Sequence, residues 1–519
     1  MNLEHHKISR RVGTVSFFTF LSRIMGLVRD MVMASVFGAT NFADAFYVAF
    51  RIPNLLRRLT AEGALTIAFV PVFTEYLKKS RLDARVVASV VFTYLSLILV
   101  AISLLGILFA PIIIKVMAYG FTHEPQKYEL TVYLTRLMFP YVILVSLVAL
   151  AMGILNSMKH FAAPAAAPVV LNLGIIFGAL VLSKLFNISI IGAAFGVLVG
   201  GMLQLIMQIP VLQREGMLPK FSFKPHPAMK SLLLLMIPSA LGAAVYQVNV
   251  LVVTLLASFL PEGSISYLWF GDRLAEFPLG IFGIAIATAA LPSLSDQASN
   301  RDMVSFRETI NYSLRLSFLI TIPAAVGLFI LALPIVKLLF QRGKFNAATA
   351  SATALTLQYF ALKIPFVSAV RNLVPGFFAL RDAKTPVYVS TAVVALNALV
   401  AFILMQYLSY AGLALALAIS SAFNYFTLFY LFRRKVGLLG GKRLMVSIIK
   451  TLLCSIVMAI VLYIGDIWID IGAEVSTWIL MFKLLLTITI GIVIYISIIR
   501  LVSPNEFRAL AAIVRSRRK

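Results

Sequence analysis

The sequence predicts an all-α polytopic membrane protein with about fourteen transmembrane helices. Of its 519 residues, 61% are hydrophobic and only 13% are charged, and the mean hydropathy is +0.97. A soluble domain is typically about half apolar and about one quarter charged, so this chain lacks the polar residues of a water-exposed surface. These proportions exclude a soluble enzyme, a fibrous protein and a disordered chain.

Long apolar runs give the number of spans. A helix needs about 20 apolar residues to cross the hydrocarbon core of a bilayer. Charge clusters and Gly, Pro or Asn turns divide the chain into fourteen such runs, and each is expected to be helical. The runs are 12–37, 44–77, 87–118, 128–156, 163–183, 187–212, 231–259, 264–295, 308–340, 346–380, 386–407, 410–431, 444–465 and 475–501.

Basic residues predict the orientation of these spans. With the N-terminus in the cytoplasm, 26 of the 45 Lys and Arg residues lie in segments that face the cytoplasm. Only four, Lys127, Lys184, Arg342 and Lys344, lie in the opposite loops. Because Lys and Arg are enriched in cytoplasmic loops, both termini are expected in the cytoplasm. Most of the excess of positive charge, +25 in total, is then explained by the orientation of the chain in the membrane. For this reason no nucleic-acid partner is expected.

A weak internal repeat predicts two pseudo-symmetric lobes of six helices each. Pro, Gly and Asn residues recur in the same order at an offset of 221–225 residues, which is six spans plus loops. An even number of spans gives both copies the same orientation, as in transporters with a substrate path between paired lobes. The expected domains are 1–225, 226–440, and 441–519 with two further helices and a basic tail. The repeated residues are Pro140, Gly153, Pro164 and Asn172, then Pro365, Gly376, Pro386 and Asn397.

Charged residues occur in spans 1, 2 and 8, where the bilayer core is expected. A charge at the bilayer centre costs about 2.5–3.5 kcal/mol, so such residues need partners or water. The cations are all arginines, whose planar guanidinium suits a phosphate group and stays charged when partly desolvated. The set is Arg23, Arg29, Arg51, Arg57, Arg58 and Arg273, with the acids Asp30, Asp44, Glu62, Asp272 and Glu276.

Three explanations of these charges are open. Shifted span boundaries would make the first arginines flanking cations outside the bilayer core. Ion pairs could instead serve only as structural contacts between helices. We favour the third explanation, a water-filled cavity that binds a polar, anionic group. The residues spaced to share a helix face are Arg58 with Glu62, Arg273 with Glu276, and Arg23 with Asp30.

The sequence contains no recognisable catalytic motif. It lacks a P-loop, a G-x-S-x-G elbow and an H-E-x-x-H motif, and its five His residues are scattered. Its single cysteine, Cys454, excludes an internal disulfide and a cysteine-based metal site. We therefore expect a secondary transporter rather than an enzyme, with no metal site and no cofactor. An ion gradient or the membrane potential is the expected energy source, and no coupling-ion site is placed.

Several motifs along the whole chain form a family pattern. They include the segments Ser22–Asp30, Asp44–Phe46, Pro53–Arg58, Asp272–Pro278 and Pro375–Phe378. With these motifs the chain resembles the MurJ (MviN) family of lipid II flippases. That family belongs to the multidrug/oligosaccharidyl-lipid/polysaccharide exporter superfamily.

The resemblance implies a function in peptidoglycan and cell-wall biogenesis, and hence in cell shape. The protein would move the undecaprenyl-pyrophosphate-linked precursor, lipid II, from the inner to the outer leaflet of the bacterial cytoplasmic (inner) membrane by alternating access. The implied partners are this lipid-linked precursor and membrane lipids, with cell-wall synthesis enzymes as candidates, and the expected state is a monomer. The last two spans, about 444–501, would form a groove for the polyprenyl tail.

The resemblance also implies roles for individual residues. An arginine-rich central cavity would hold the pyrophosphate, and acids would pair with arginines to close gates. The implied substrate-binding residues are Arg23, Arg29, Arg57, Arg273, Ser22, Asn54 and Ser266. The implied gate and ion-pair residues are Asp30, Asp44, Arg58, Glu62 and Glu276.

Other functions stay open at the level of sequence. An exporter of a different polyprenyl-linked oligosaccharide would have the same features. A drug exporter of the same fold would favour an acid-dominated cavity, against the excess of arginine. A membrane-embedded glycosyltransferase or phosphatase would need an acidic metal site or a His nucleophile, and a scaffold for cell-wall enzymes leaves the buried charges unexplained.

Overall fold

The computed structural model describes residues 3–57, 66–470, 476–504 and 506–508. Within these ranges every regular element is a helix and none is a strand, which confirms the predicted fold class. The helices up to residue 257 are α1 (Leu3–Phe37), α2 (Asn41–Arg57), α3 (Thr66–Lys79), α4 (Arg81–Leu108), α5 (Ala110–Met117), α6 (Pro125–Met138), α7 (Tyr141–Ser157), α8 (Ala162–Leu180), α9 (Ile190–Arg214) and α10 (Ala228–Ala257).

The remaining helices complete the chain. They are α11 (Ser264–Pro278), α12 (Ile284–Ser299), α13 (Met303–Ile330), α14 (Ala332–Phe340), α15 (Ala347–Ala379), α16 (Lys384–Val436), α17 (Gly441–Asp470) and α18 (Thr477–Val502). Short 3₁₀ helices cover Tyr119–His123 and Leu182–Leu185, and a π-helix covers Leu279–Gly283.

The predicted apolar runs lie largely on these helices, apart from 58–65 and 475, which are outside the described residues. In the described part of the chain, nine helical segments are long and apolar enough to cross a membrane. One of them, Lys384–Val436, has 53 residues and covers two predicted spans. The chain is therefore a multi-pass membrane protein by its apolar helices, and the count of fourteen spans stays a prediction.

Several predicted spans are interrupted within the bilayer-length run. Pro140 separates α6 from α7, and Pro278 ends α11 just before the π-helix. Proline lacks a backbone N–H and clashes with the preceding turn, so it interrupts a helix at these points. Within α16, Ser409 has φ 51° and ψ −134°, a non-helical conformation at the predicted boundary between 386–407 and 410–431.

The chain forms two compact units. The first unit comprises residues 1–266 and 342–345, and the second unit comprises residues 267–341 and 346–519. The two units are defined by the contacts between residues, whereas the lobes predicted at 1–225 and 226–440 are defined by the sequence repeat. The two divisions describe different properties, so the predicted domain boundaries stay predictions.

Each unit has its own apolar core. In the first unit, α3, α4 and α7 pack through buried side chains such as Phe69, Phe73 and Ile154. Helices α8 and α9 approach so closely that a Cβ atom on Gly174 would lie 2.4 Å from the Cα atom of Gly200. In the second unit, α13, α15 and α16 meet at a cluster that includes Phe377.

Candidate functional site

Asp44 is the centre of a buried polar cluster in the first unit. Its Oδ1 accepts hydrogen bonds from the backbone N–H of Ser266 at 2.9 Å and from the Ser266 hydroxyl at 2.7 Å. Its Oδ2 accepts from the backbone N–H of Gly263 at 2.9 Å and from Lys127 Nζ at 3.3 Å. We call these four residues the Asp44 cluster, and they bring the beginnings of α2, α6 and α11 together.

Two charged residues of the Asp44 cluster lie in the first turns of their helices. Asp44 lies in the first turn of α2, where the helix dipole favours a carboxylate. Lys127 follows Pro125 in the first turn of α6, which packs against α2, and its Nζ lies 4.2 Å from the ring centroid of Phe121. The carboxylate and the ammonium are both buried, and a buried ion pair is stable only when further hydrogen bonds satisfy it. The Asp44 cluster meets that condition.

Arg29 forms a second buried cluster in the first unit. Its Nε and Nη2 donate to Asp30 Oδ1 at 3.0 and 2.7 Å, and its Nη1 donates to Asn172 Oδ1 at 3.1 Å. The Asn172 amide donates in turn to the Ser22 carbonyl at 3.3 Å. These four residues, the Arg29 cluster, join α1 to α8. Gly26 faces the Asn172 amide, which allows the two helices to approach.

The other predicted residues of the first unit are more open. Arg57 at the end of α2 donates from Nε to Asn54 Oδ1 at 3.2 Å, and both residues are partly exposed. Arg51, one helical turn and a half earlier, donates to the Thr254 hydroxyl on α10. Arg23 is also partly exposed, on α1. Arg58 and Glu62 lie outside the described residues, and so does their predicted ion pair.

The second unit carries a looser set of charges on α11. Arg273 Nη1 and Glu276 Oε2 are 4.0 Å apart, and each side chain is 40% exposed. The Arg273 guanidinium also lies 5.0 Å from the Trp269 ring centroid. Asp272 forms an ion pair with Lys363 of α15. We call these five residues the Arg273 cluster.

The structure bears on three expectations about partners. Asp44 pairs with a lysine and not with an arginine, because α6 places Lys127 beside it. Asp30 pairs with its neighbour Arg29, a contact that helix-face spacing did not indicate, and the expected pair of Arg23 with Asp30 stays a prediction. Ser266 is fully buried and its hydroxyl donates to Asp44, so its predicted contact with substrate stays a prediction.

Lys127 and Asn172 are among the cluster residues that were missed from sequence. The sequence predicts Lys127 in a loop on the non-cytoplasmic side, because it lies between the apolar runs 87–118 and 128–156. Asn172 was noted only as the counterpart of Asn397 in the repeat. That repeat is the one sequence signal that singled it out.

Candidate metal ligands do not gather in the described part of the chain. No group of three or more His, Cys, Asp or Glu residues there is arranged to hold a metal ion. The expectation about cofactors stays a prediction.

Comparison with known proteins decides the family. Residues 33–485 match the family described as "Lipid II flippase MurJ". This chain belongs to the MurJ family. Among relatives, the lipid II flippase MurJ of Burkholderia cenocepacia is 37% identical over 432 residues, covering 82% of this chain and 84% of the relative. The probable lipid II flippase MurJ of Vibrio cholerae is 37% identical over 425 residues, covering 79% and 80%.

Solved structures agree with that membership. A lipid II flippase MurJ in an inward closed conformation matches with a TM-score of 0.78 and 28% identity, covering 94% of this chain and 98% of that one. An inward-facing multidrug MATE transporter of the MOP superfamily matches with a TM-score of 0.66 at 13% identity, covering 80% and 95%. The second match shows the fold alone. The resemblance to the MurJ family is confirmed, and this is a family of transporters.

Proposed function

We propose that this protein moves lipid II from the inner to the outer leaflet of the bacterial cytoplasmic membrane. The observation that carries the proposal is the match to a solved MurJ over nearly the full length of both chains. The substrate is amphipathic, because it joins a sugar pyrophosphate headgroup to a polyprenyl tail. A carrier for it needs polar, basic groups within a helical membrane protein, and both units of this chain carry them.

The pyrophosphate is bound in a central cavity by Arg23, Arg29, Arg57 and Arg273. Arginine donates two parallel hydrogen bonds to a phosphate and keeps its charge when water is partly removed. The partial exposure of Arg57 and Arg273 supports their contact with a ligand. The polar groups of Ser22, Asn54 and Ser266 complete the set.

Transport proceeds by alternating access, and ion pairs act as gates. The Asp44 cluster closes the end of the first unit that the charge distribution predicts to face outside. Opening that end requires Asp44 to release Lys127 and Ser266. New contacts between the arriving substrate and other residues offset the loss of these hydrogen bonds. On α11, Glu276 pairs with Arg273 in the empty protein and gives way to the pyrophosphate. Asp30 holds Arg29 in the same manner. The same role is proposed for the predicted pair of Arg58 and Glu62, which lies outside the described residues.

The remaining parts of the proposal concern location and energy. Both termini face the cytoplasm, and the protein acts as a monomer. The polyprenyl tail stays in the bilayer against the last two spans while the headgroup crosses. An ion gradient or the membrane potential supplies the energy, and no cofactor takes part. Cell-wall synthesis enzymes supply the substrate and use it after transport.

Depletion in cells tests this function. Loss of the protein should leave lipid II in the inner leaflet, as measured with a probe that modifies only the precursor exposed outside. The single variants R23A, R29A, R57A and R273A should each fail to restore outward movement, whereas R434A, which removes an exposed cation over Tyr430, should restore it. Normal movement in all four membrane-inserted arginine variants would contradict the binding proposal. Movement of a different polyprenyl-linked oligosaccharide in preference to lipid II would reassign the substrate.

A further inference from the structure

A large crevice opens in the second unit, away from the α11 charges. It has a volume of about 2310 Å³ and is lined by α13, α15, α16, α17 and the residues just after α18. Pockets for drug-sized ligands are usually about 300–1,000 Å³, so this crevice suits a larger, elongated molecule. We call it the α13 crevice.

Helix α13 gives the crevice a polar end and an apolar end. Arg307, Asn311 and Arg315 line it at four-residue intervals, which places them on one helix face. The same face continues with Phe318 and Ile322. With a rise of about 1.5 Å per residue, this wall changes from basic to apolar over about 22 Å.

The neighbouring helices repeat this gradient at the same end. Helix α16 contributes Arg433 near its last residue and Phe429 one turn earlier. Helix α17 contributes Lys442 and Arg443 at its beginning. Phe366 of α15 lies on the apolar part of the wall. The basic ends of three helices therefore surround one mouth, above an apolar interior.

The balance of charge in the crevice is strongly positive. Six Lys or Arg residues line it against two acids. One of those acids, Glu506, is already paired with Arg315 at 2.7 Å. The Nε atom of Arg315 is buried and has no hydrogen-bond partner within the described ranges.

Three cations at the mouth have no protein partner in the described part of the chain. The side chains of Arg433, Lys442 and Arg443 form neither an ion pair nor a hydrogen bond there, and all three are exposed. Their neighbours differ, since Lys435 pairs with Asp382 at 2.8 Å and Arg434 lies over Tyr430. These three unpartnered cations all line the crevice, next to the partnered Arg315.

We propose that the α13 crevice binds an anionic phospholipid of the cytoplasmic leaflet. The headgroup phosphate contacts Arg433, Lys442 and Arg443, and the acyl chains lie along Phe318, Phe366 and Phe429. Basic residues at the membrane surface attract anionic lipids, and the apolar interior matches a pair of acyl chains. The choice of leaflet follows from the predicted orientation. This site shares α17 with the proposed tail groove but not the transmembrane part of α18, which contributes only residues beyond its last turn. It does not depend on the transport proposal.

Native mass spectrometry of the purified, delipidated full chain tests this site. Phosphatidylglycerol, phosphatidylcholine and undecaprenyl phosphate are each titrated in detergent, and bound lipid is counted per protein. Wild-type protein should bind phosphatidylglycerol in preference to phosphatidylcholine. In R433Q/R443Q that preference should fall roughly fivefold for each cation removed, since each contributes about 1 kcal/mol near an anionic lipid surface.

Two further variants control for charge and folding. R434Q/K384Q removes two exposed cations of the same unit that do not line the crevice, and it should keep the wild-type preference. R433K/R443K keeps the charges and should also keep it. An unchanged preference in R433Q/R443Q, or an equal loss in R434Q/K384Q, would overturn the proposal. Displacement of phosphatidylglycerol by equimolar undecaprenyl phosphate or by free glycerol phosphate would overturn it as well.

Discussion

The two units hold their membrane charges in different ways. In the first unit, the side chains of Lys127 and Asp44 are 3% and 1% exposed, and the carboxylate accepts four hydrogen bonds. In the second unit, Arg273 and Glu276 are 40% exposed and 4.0 Å apart. A closed, fully bonded cluster resists any change, whereas a loose pair can exchange its partner for a ligand. On this basis we propose that the Asp44 cluster stabilises the first unit and that the Arg273 cluster contacts the ligand.

The largest effect is expected where a buried charge loses its partner. Replacing Lys127 with Met leaves the Asp44 carboxylate buried without a cation, which should lower the free energy of unfolding by about 3–5 kcal/mol. Thermal unfolding of the detergent-purified protein measures it. The matched control is K79M, which breaks the exposed pair of Lys79 and Glu75 and should leave the unfolding midpoint unchanged. Equal midpoints for K127M and K79M would remove the contrast between buried and exposed pairs.

A smaller loss is expected at the Arg29 cluster. Replacing Asn172 with Leu removes the acceptor of Arg29 Nη1 while Asp30 still neutralises the guanidinium. A buried donor without its partner costs about 1–3 kcal/mol, so N172L should be less stable than the wild type but more stable than K127M. Thermal unfolding again provides the measurement, with N300L at an exposed helix end as the control. A wild-type midpoint for N172L would show that this contact does not hold α1 to α8.

In the second unit, the same kind of change should affect binding more than stability. Replacing Glu276 with Gln removes one partner of an exposed pair, which contributes about 0–1 kcal/mol to stability. The released Arg273 should then bind the pyrophosphate up to about fivefold more tightly, the equivalent of 1 kcal/mol. Titration of lipid II against E276Q and the wild type measures this. A large fall in the unfolding midpoint with unchanged affinity would make the Arg273–Glu276 pair structural.

The smallest effect concerns the ion pair of Asp382 and Lys435, which lies outside the predicted spans. Burial tends to raise the pKa of Asp382, but hydrogen bonds from Lys435 and Thr385 outweigh it and lower that pKa from 3.8 to about 2. Because the folded pKa lies below the unfolded value, the ionised carboxylate stabilises the fold above about pH 4. That contribution is lost as the pH falls toward 2. The unfolding midpoint of D382N should therefore depend less on pH between 4 and 2 than that of the wild type, and an identical slope would contradict this.

The sequence predicted where the helices lie better than how they are interrupted. Hydropathy located the run 128–156, but the break at Pro140 divides it into α6 and α7. In the run 264–295, the sequence shows Pro278 as a residue that interrupts a helix. It does not show the π-helix after Pro278, which contacts other helices of the second unit. One such contact joins Arg371 Nη1 to the Leu279 carbonyl at 3.3 Å. Turn-level geometry of this kind has no signature in a hydropathy pattern.

The sequence also singled out most of the charged residues of the three clusters, but not all of their partners. Helix-face spacing predicted the pair of Arg273 and Glu276, because both lie on one helix. It could not predict Lys127 beside Asp44, since 83 residues separate them in the chain. Local spacing finds pairs within a helix, and pairs between helices require the packing of the whole unit.

Movement of lipid II by the purified protein in vesicles tests the central claim most directly. Fluorescent lipid II is placed in one leaflet, and the fraction that becomes accessible from the other side is followed with the wild type, R273A and R434A. The wild type and R434A should move it, and R273A should not, although its unfolding midpoint stays close to that of the wild type. Wild-type movement by folded R273A would contradict the assignment of ligand contact to the Arg273 cluster, and no movement by the wild type would contradict the proposed function itself.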